Sequence, residues 1–368
     1  MKKENIDNSS RRNFLKLGSL ATIGLSTPLV SSCTVSKPLV EKREFGKLNE
    51  SSKRLLTLFN LKYPFFQAAP GGEKLAIAIA NAGCMGSIQL TWEEPDAAYE
   101  IIVRLNKETN GNYYANYVLH FEPKSLDKAL EAGCKNFQFS FGIPSREIVS
   151  KIKNLGAKFG IQVSSEQNAE KALDLKPDFL FCQGIEAGGH VQGTQYHKYI
   201  LPDVLKIAGE IPVLVSGGIS TGEDIRRVMK NGAAGAVMGT RFIATKESDM
   251  SDFYKQKLVD AGEHSTVYTN CFNSSWDAMH RVLRNITFLK WEAAGCPLVG
   301  KKPGEGDVIA KGSSGYDILR YGGHEPTQGV TGDLEAMIMY AGEGVTKVKD
   351  IPSANELIER LWKEFENK

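Results

Sequence analysis

The sequence of 368 residues predicts an α/β protein, a (β/α)8 TIM barrel with a helical and irregular insertion after strand eight. Short apolar runs alternate strictly with amphipathic segments between Tyr63 and Gly239. The runs are nearly continuous in apolar residues, as in parallel strands that are covered on both faces. Their number, eight, favours a closed barrel, and a doubly wound open sheet is the alternative.

The eight predicted strands cover residues 64–69, 85–88, 113–118, 136–140, 159–163, 179–183, 212–216 and 236–239. The predicted helices between them have apolar residues three and four positions apart and cover residues 74–81, 96–106, 125–132, 145–154, 166–173, 201–208 and 222–231. Several of these helices are followed by a glycine, such as Gly83 or Gly133, where a left-handed C-terminal cap is expected.

The strand–helix alternation defines the predicted domain organisation. It fails after residue 244, and the following segment has a helical stretch at 274–292 and glycine-rich stretches at 295–315 and 321–332. The predicted segments are an export signal at 1–33, a tether and first helix at 34–60, the barrel at 61–244, an insertion or lid at 245–345, and a C-terminal helix at 346–368 that closes the barrel.

The first 33 residues have the features of an export signal. Lysines and arginines precede an apolar segment at 15–30 that is too short to span a bilayer comfortably. The sequence Ser10-Arg11-Arg12-Asn13-Phe14-Leu15-Lys16 resembles the twin-arginine consensus, and Val30-Ser31-Ser32-Cys33 resembles a lipoprotein cleavage box less closely. We therefore expect the protein in the periplasm or cell envelope, with Cys33 as the candidate lipid anchor. Membrane contact is expected only through the signal or this anchor.

Composition excludes several classes of function. Hydrophobic residues make up 42% and charged residues 24%, as in ordinary globular domains. The formal net charge is +2, and removal of residues 1–32 takes away five positive and two negative charges and leaves −1. Basic runs are confined to the N-terminus, so no nucleic-acid partner is predicted. The oligomeric state is not predicted.

The cysteines form no pattern that predicts a disulfide framework or a metal site. Apart from Cys33, they are widely spaced and odd in number: Cys84, Cys134, Cys182, Cys271 and Cys296. No CxxC or Cys/His metal motif occurs, so we predict no metal. We interpret these five cysteines as small buried hydrophobic residues.

Two glycine turns follow strands seven and eight. Strand seven ends in Ser216-Gly217-Gly218-Ile219, and Ser220 and Thr221 are candidate caps of a helix whose free N–H groups favour an anion. Strand eight ends in Met238-Gly239-Thr240-Arg241. In TIM barrels, the loops after strands seven and eight commonly hold phosphate groups. The two turns together therefore predict a phosphate cup.

The loop after strand six is the second candidate for chemistry. In the stretch FLFCQGIEAGGHVQG, residues 179–193, four glycines allow a ligand to approach the backbone, and His190 can exchange a proton near neutral pH. The alternative is a flexible surface loop with a solvated histidine. Glu186 is expected either to orient His190 or to stabilise the loop.

A phosphate cup beside a polar loop suggests a cofactor that lies across the barrel mouth. No motif for zinc, a pyridoxal phosphate lysine or a Walker A loop competes, and flavin mononucleotide (FMN) fits best. Asn116, at the end of strand three, and Gln183, at the end of strand six, are placed to hydrogen-bond the edge of the flavin ring. Phe141 and Trp92 are expected either to line the substrate site or to pack in the core.

These motifs, with YYANY, FQFSFGIP and YAGEGV, resemble the nitronate monooxygenase family of FMN barrels from about Tyr63 to Leu361. The resemblance implies that His190 is the catalytic base and that FMN is bound by Asn116, Gln183, Gly188, Gly217, Gly218, Gly239 and Thr240. Two departures are Gly71, where the family usually has a methionine after Pro70, and Gly342-Glu343 in place of Gly-Gln.

The resemblance implies oxidation of an alkyl nitronate, and of nitroalkanes as a further substrate class, by O2 to a carbonyl compound and nitrite. One alternative is an NAD(P)H-dependent flavin reductase of enoyl thioesters or quinones on the same barrel. Another is an envelope protein that binds the cofactor without catalysis. A dehydrogenase of the inosine monophosphate type would need a nucleophilic cysteine in the strand-six loop, and the nearby Cys182 lies within the strand.

Overall fold

The computed structural model describes residues 48–68, 70–273 and 276–367. Its centre is a parallel eight-stranded barrel with strands β1 (Phe65–Gln67), β2 (Gly86–Gln89), β3 (Tyr113–Val118), β4 (Asn136–Ser140), β5 (Lys158–Val163), β6 (Phe179–Gln183), β7 (Val213–Ser216) and β8 (Gly235–Met238). The strands follow one another in the order β1-β8-β7-β6-β5-β4-β3-β2. A bridge between Phe66 and Met85 joins β1 to β2 and closes the ring. The predicted (β/α)8 barrel is therefore confirmed.

Helices alternate with these strands and cover the outside of the barrel. They are α1 (Glu50–Phe59), α2 (Gly72–Asn81), α3 (Pro95–Glu108), α4 (Leu126–Glu131), α5 (Arg146–Asn154), α6 (Glu166–Leu173), α7 (His197–Ala208) and α8 (Gly222–Lys230). Several begin at a side-chain cap, such as Ser145, whose hydroxyl accepts a hydrogen bond from the Ile148 N–H. The local sequence therefore sets both the position and the start of these helices.

The barrel interior below the mouth is filled by aromatic rings. Phe66, Phe179 and Phe181 contact one another with ring centroids 5.3–5.8 Å apart. Phe59 of α1 covers this end of the barrel at 5.7 Å from Phe66. Gly160 on β5 leaves room for the packing, because a Cβ there would overlap the Phe179 ring. Truncation of one such ring to alanine typically costs about 3–5 kcal/mol, so this layer stabilises the barrel.

The segment after β8 contains more β-structure than the sequence predicts. It holds α9 (Thr240–Ile243), α10 (Asp252–Val259), β9 (Thr266–Thr269), β10 (His280–Leu283), α11 (Ile286–Ala293), β11 (Val308–Lys311) and β12 (Asp317–Leu319). The predicted helical stretch at 274–292 is wrong in its first part. Residues 280–283 pair with both β9 and the two-residue strand Gly189–His190, and this pairing overrides local helical spacing. The helix begins only at Ile286, where the Asn285 side chain accepts a hydrogen bond from the Phe288 N–H.

The C-terminal helix α12 (Ala354–Glu366) lies where the sequence predicts it. Its N-terminus is a capping box in which Ser353 and Glu356 each accept the other's backbone N–H. The helix packs on α8, where a Cβ on Gly222 would lie within overlap distance of the helix backbone. Trp362 contacts Tyr63 with ring centroids 5.1 Å apart, so the helix covers the strand that begins the barrel.

The predicted export signal at 1–33, including Cys33, and the tether up to residue 47 lie outside the described residues. Across the residues that the structure does describe, no helix has the length and apolar character needed to cross a membrane. Within the same residues, no group of His, Cys, Asp and Glu side chains is placed to hold a metal ion. The prediction of buried cysteines is wrong for Cys296, which is exposed in the turn after α11, while Cys84, Cys134, Cys182 and Cys271 are buried.

Candidate active site

A cleft opens at the carboxyl ends of β7, β8 and β1. It is lined by backbone and small side chains from the turns after β6, β7 and β8, together with Tyr340 and Gly342. The structure brings five of the predicted cofactor residues into this lining: Gly188, Gly217, Gly218, Gly239 and Thr240. These residues follow β6, β7 and β8, which are neighbouring parallel strands, so the sheet order places them together.

Three glycines in the cleft, Gly188, Gly217 and Gly218, are required by crowding or by backbone conformation. Gly217 and Gly218 have φ of 122° and 66°, values that L-residues with side chains rarely adopt. A Cβ on Gly188 would overlap the Gly342 N–H and lie 2.7 Å from the Ala341 carbonyl carbon. The strand-six loop and the 341–342 segment therefore pack backbone against backbone at the edge of the cleft.

The phosphate donors suggested by the structure differ in part from the predicted ones. Thr221 caps α8 as predicted, but Asp224 accepts hydrogen bonds from the Ser220 and Thr221 N–H groups at 3.1 and 3.2 Å. The protein's own carboxylate therefore occupies the anion position at this helix terminus. Burial alone would raise the pKa of Asp224, but hydrogen bonds from Lys347 and Ser220 lower it, which keeps this carboxylate ionised.

The other turn of the cup remains available to an anion. Helix α9 begins at Thr240, directly after Gly239, and the N–H groups of its first turn have no partner within the helix. The Thr240 hydroxyl oxygen accepts a hydrogen bond from the Gly342 N–H at 3.0 Å, so its hydrogen can be donated to a ligand. Backbone and hydroxyl donors around a glycine-walled cleft suit a phosphate monoester.

Asn116 and Gln183 do not line this cleft; both are buried in a polar layer at the top of the barrel core. Asn116 donates a hydrogen bond to the Gln138 side chain. The Gln183 side chain accepts from the Gln192 N–H at 2.8 Å and donates to the His190 carbonyl at 3.3 Å. In this structure, Gln183 therefore holds the strand-six loop in position over the barrel.

His190 lies in the two-residue strand Gly189–His190, which pairs antiparallel with β10. Gly189 lines the cleft, and the Tyr340 ring, which also lines it, is 5.4 Å from the His190 ring. Burial and, secondarily, the neighbouring His280 lower the pKa of His190 to about 3. The imidazole is therefore neutral at physiological pH and can act as a hydrogen-bond donor or acceptor.

Glu186 contacts His197 of α7. Its Oε1 atom is 3.1 Å from the His197 Nε2 atom, and its carboxylate also accepts the His197 backbone N–H. Of the two roles expected for Glu186, these contacts correspond to stabilising the loop. Burial raises the pKa of Glu186 to about 7 and lowers the pKa of His197 to about 4, so both shifts favour neutral side chains.

Sequence reasoning missed the partner of Glu343. Arg281 of β10 donates two hydrogen bonds to the Ile185 carbonyl, at 3.2 and 3.0 Å, and forms an ion pair with Glu343 Oε1 at 3.1 Å. Tyr196 also donates to Glu343 Oε1 at 3.3 Å. Glu343, which replaces the glutamine that is usual in the family, is therefore paired with an arginine of the insertion.

The aromatic residues that follow the barrel strands are at the mouth. Trp92 is 53% exposed, so the alternative of core packing is wrong for this residue. Phe141 is half-buried and contacts Trp276 of the insertion with ring centroids 4.6 Å apart. Trp276 in turn lies 4.3 Å from the His190 ring. Nothing in the local sequence around Trp276 indicated this contact.

Comparison with known proteins finds one matching family model and relatives with two kinds of names. A family model described as nitronate monooxygenase matches residues 122–364. The chain is 28% identical over 342 residues to a "(3aS,4S,5R,7aS)-5-hydroxy-7a-methyl-1-oxo-octahydro-1H-indene-4-carboxyl-CoA dehydrogenase" of Mycobacterium tuberculosis, covering 83% of this chain and 94% of that protein. It is 27% identical to a probable nitronate monooxygenase of Staphylococcus saprophyticus, covering 60% of this chain and 76% of that protein.

Solved structures share the architecture. FabK from Thermotoga maritima has a TM-score of 0.72 and 25% identity, covering 85% of this chain and 95% of that chain. The nitroalkane oxidase from Streptomyces ansochromogenes has a TM-score of 0.67 and 23% identity, covering 85% of this chain and 97% of that chain, and it is similar in fold. Because the family model spans more than half of the sequence, the chain belongs to the nitronate monooxygenase family.

Proposed function

We propose that this protein is an FMN-dependent oxidoreductase that oxidises alkyl nitronates with O2 to a carbonyl compound and nitrite. One observation carries the proposal: a neutral, half-buried His190 lies beside the edge of the cleft that holds the phosphate cup. Gly189 and Tyr340 line the cleft, Gly189 precedes His190, and the Tyr340 ring is 5.4 Å from the imidazole. A phosphate-anchored cofactor in the cup would therefore extend toward His190.

The residues present fit FMN. Gly217, Gly218, Gly239 and Thr240 would hold the phosphate, and Gly188 would lie along the cofactor where a side chain would overlap Gly342. Asn116 and Gln183 would need to exchange an internal hydrogen bond for one to the ring edge. When bound, the flavin supplies the electron acceptor for the substrate and the route by which electrons reach oxygen.

His190 would orient the nitronate. A neutral imidazole whose pKa is lowered to about 3 is a weak base toward a carbon acid, but its N–H can donate to the anionic nitronate oxygen. Burial strengthens such a charge-assisted hydrogen bond because little water competes for it. We therefore infer that ionised nitronates are better substrates than the neutral nitroalkanes, from which His190 would have to remove the α-proton.

The second candidate function is an NAD(P)H-dependent flavin reductase of enoyl thioesters or quinones. The Mycobacterium tuberculosis relative favours it, because its name gives a coenzyme A thioester as the substrate and it covers 83% of this chain. Anaerobic addition of NADH separates the candidates. Rapid bleaching of the flavin absorbance supports the reductase, and a stable oxidised spectrum supports the nitronate enzyme.

The central test is a visible spectrum of the purified protein followed by oxygen uptake with ethyl nitronate or propionate 3-nitronate. We expect flavin absorbance, oxygen consumption and release of nitrite. His190→Ala removes the N–H donor and should lower kcat/KM by about 10- to 150-fold, as for the loss of a hydrogen bond to a charged group, while the far-ultraviolet circular dichroism and the flavin content are retained. A colourless protein that does not take up FMN would reject the proposal, and so would full activity in His190→Ala.

We also propose that residues 1–33 direct the folded, cofactor-loaded protein to the periplasm or cell envelope, with a lipid on Cys33. The twin-arginine-like motif supports this proposal because that route carries folded proteins. Replacing Arg11 and Arg12 together with lysine should leave the protein in the cytoplasmic fraction. Cys33→Ala should shift it from the membrane to the soluble periplasmic fraction, and unchanged fractionation of both variants would contradict the proposal.

A further inference from the structure

The side of the barrel mouth away from the phosphate cup is lined by aromatic rings. Strands β2, β3 and β4 are followed by Trp92, Phe121 and Phe141, and the loop after β6 presents His190. The insertion adds Trp276 in the middle of this set. We call these five residues the aromatic wall. Its rings form a continuous path from the candidate catalytic histidine to the solvent-exposed Trp92.

Trp276 is the centre of the wall. Its ring centroid is 4.3 Å from that of His190, with the planes tilted by 30°. The Phe141 and Phe121 rings meet it edge to face at 4.6 and 5.5 Å. Phe121 in turn contacts Trp92 at 5.6 Å. These separations are those of favourable aromatic pairs, so each ring is positioned by the next.

The backbone at Phe141 is held in a strained conformation that directs this ring to the mouth. Its φ is 54°, which is uncommon for a residue with a side chain. The Phe141 N–H donates to the Gln192 side chain at 2.9 Å, and the Gln192 N–H donates to Gln183 at 2.8 Å. Such strain costs on the order of 1–3 kcal/mol and persists where the surrounding structure fixes it, often at ligand sites. The strand-six loop therefore fixes both His190 and Phe141 of the wall.

The wall differs from the aromatic core in its exposure. The rings inside the barrel are fully buried, whereas Phe121, Phe141 and Trp276 are half-buried and Trp92 is 53% exposed. Aromatic side chains left open beside a cleft present apolar area that a ligand can cover. No wall residue is a lysine or arginine, and the exposed His120 ring stacks on Trp276 with centroids 5.3 Å apart.

We propose that the aromatic wall binds a flat, apolar ring in the substrate, and that Trp276 is the residue that determines this specificity. The inference rests on the proposed function, because it places the nitronate group at His190 and the ring on Trp276. The expected substrates are nitronates that carry an aromatic or cyclic body. Short aliphatic or carboxylate-bearing nitronates would leave the wall uncovered.

The test compares ethyl nitronate with 2-phenylethyl nitronate, which adds a phenyl ring to the same reactive group. For the wild-type protein we expect kcat/KM to be at least about 10-fold higher for the phenyl substrate, which corresponds to about 1.4 kcal/mol. Trp276→Ala should reduce this ratio about 10-fold, and Trp276→Phe should retain most of it. Tyr199→Ala is the control, because Tyr199 is a 61% exposed aromatic on α7 outside the wall.

A binding measurement without turnover separates the inference from the proposed function. Saturation-transfer NMR with 1-indanone, a neutral bicyclic ketone, should show ring contact with the wild-type protein that is weakened in Trp276→Ala. If no nitronate is oxidised but 1-indanone binds in a Trp276-dependent manner, the proposed activity fails and the ring site stands.

The opposite outcome overturns the inference alone. If nitronates are oxidised but kcat/KM is no higher for 2-phenylethyl nitronate than for ethyl nitronate, the wall is a structural cluster. The same conclusion follows if Trp276→Ala lowers kcat/KM equally for both substrates and 1-indanone binds as before. Trp276→Leu, which keeps apolar volume without a ring, provides a second variant should Trp276→Ala fail to fold. Retention of the substrate ratio in Trp276→Leu would also contradict the role of the ring.

Discussion

Gly188→Ala is the substitution that most directly tests how the cleft is built. The new Cβ would overlap the Gly342 N–H and lie 2.7 Å from the Ala341 carbonyl carbon, and 3.1 Å from its Cα. All three contacts are with backbone atoms, which cannot rotate away as a flexible side chain does. The strand-six loop and the 341–342 segment must therefore move apart at the edge of the cup.

The magnitude follows from the kind of contact. Overpacking of this kind typically costs about 1–3 kcal/mol. If this cost is paid in the FMN-bound state, because the cup is displaced from the geometry that binds the cofactor, the FMN dissociation constant rises by about 5- to 150-fold. We expect the affinity for FMN to fall while the melting temperature of the apoprotein changes little, because the two segments meet at the cleft edge and not within the barrel core.

The assay is a titration of apoprotein into FMN, followed by quenching of flavin fluorescence. Gly262→Ala is the matched control, because Gly262 has no heavy atom within 4 Å of the position of the new Cβ and does not have a positive φ. Equal FMN dissociation constants for the wild type, Gly188→Ala and Gly262→Ala would refute the assignment of this backbone contact to the cofactor site.

Three further predictions concern the supports of the site. Arg281→Ala leaves the Glu343 carboxylate without its ion-pair partner, so we expect a lower melting temperature that Glu343→Gln partly restores in the double variant; no recovery would count against the pairing. His280 accepts a hydrogen bond from the Phe272 N–H at Nε2, and burial lowers its pKa from 6.5 to about 4. This shift corresponds to a loss of about 3 kcal/mol in the free energy of unfolding once the pH has fallen below 4. The unfolded chain binds this proton first as the pH falls, so wild-type stability in urea should decrease from pH 6.5 toward pH 4 more steeply than that of His280→Gln; parallel curves would contradict this. In a Cys33→Ala variant, Cys296 should react with a thiol reagent in the native protein, whereas the four buried cysteines should react only after unfolding, and labelling of more than one thiol under native conditions would be inconsistent with the fold.

The barrel could be predicted from the sequence because its signals are local. Strands such as Tyr113–Val118 and Phe179–Gln183 are nearly continuous apolar runs, and helices such as Glu166–Leu173 have capping residues beside amphipathic repeats. The cup could be predicted for a related reason. Parallel barrel strands bring their carboxyl ends to one face, so glycine turns after successive strands must be neighbours.

The insertion could not be predicted in the same way, because its elements are set by distant pairing. His280–Leu283 has no helical or strand signature strong enough to stand alone, and it becomes a strand by pairing with Thr266–Thr269 and Gly189–His190. The position of Trp276 on His190 depends on that pairing as well. The N–H groups at the start of α8 could not be assigned from the sequence for another reason. Asp224 is three residues after the cap, where its carboxylate can either point away or accept hydrogen bonds from the Ser220 and Thr221 N–H groups, as it does in the structure.

The strand-six loop joins the two halves of the barrel mouth. Gly188 packs on Gly342 at the cup, and Gln192 fixes the Phe141 backbone at the wall, with His190 between them. The insertion reaches the same loop from the other side, through the pairing of His280 with His190 and through the hydrogen bonds of Arg281 to Ile185. A displacement of the loop would therefore alter the cup, the histidine and the wall together. For this reason, substitutions that disturb the loop backbone should change cofactor affinity and substrate preference jointly, whereas Trp276 variants should change substrate preference with little effect on FMN affinity.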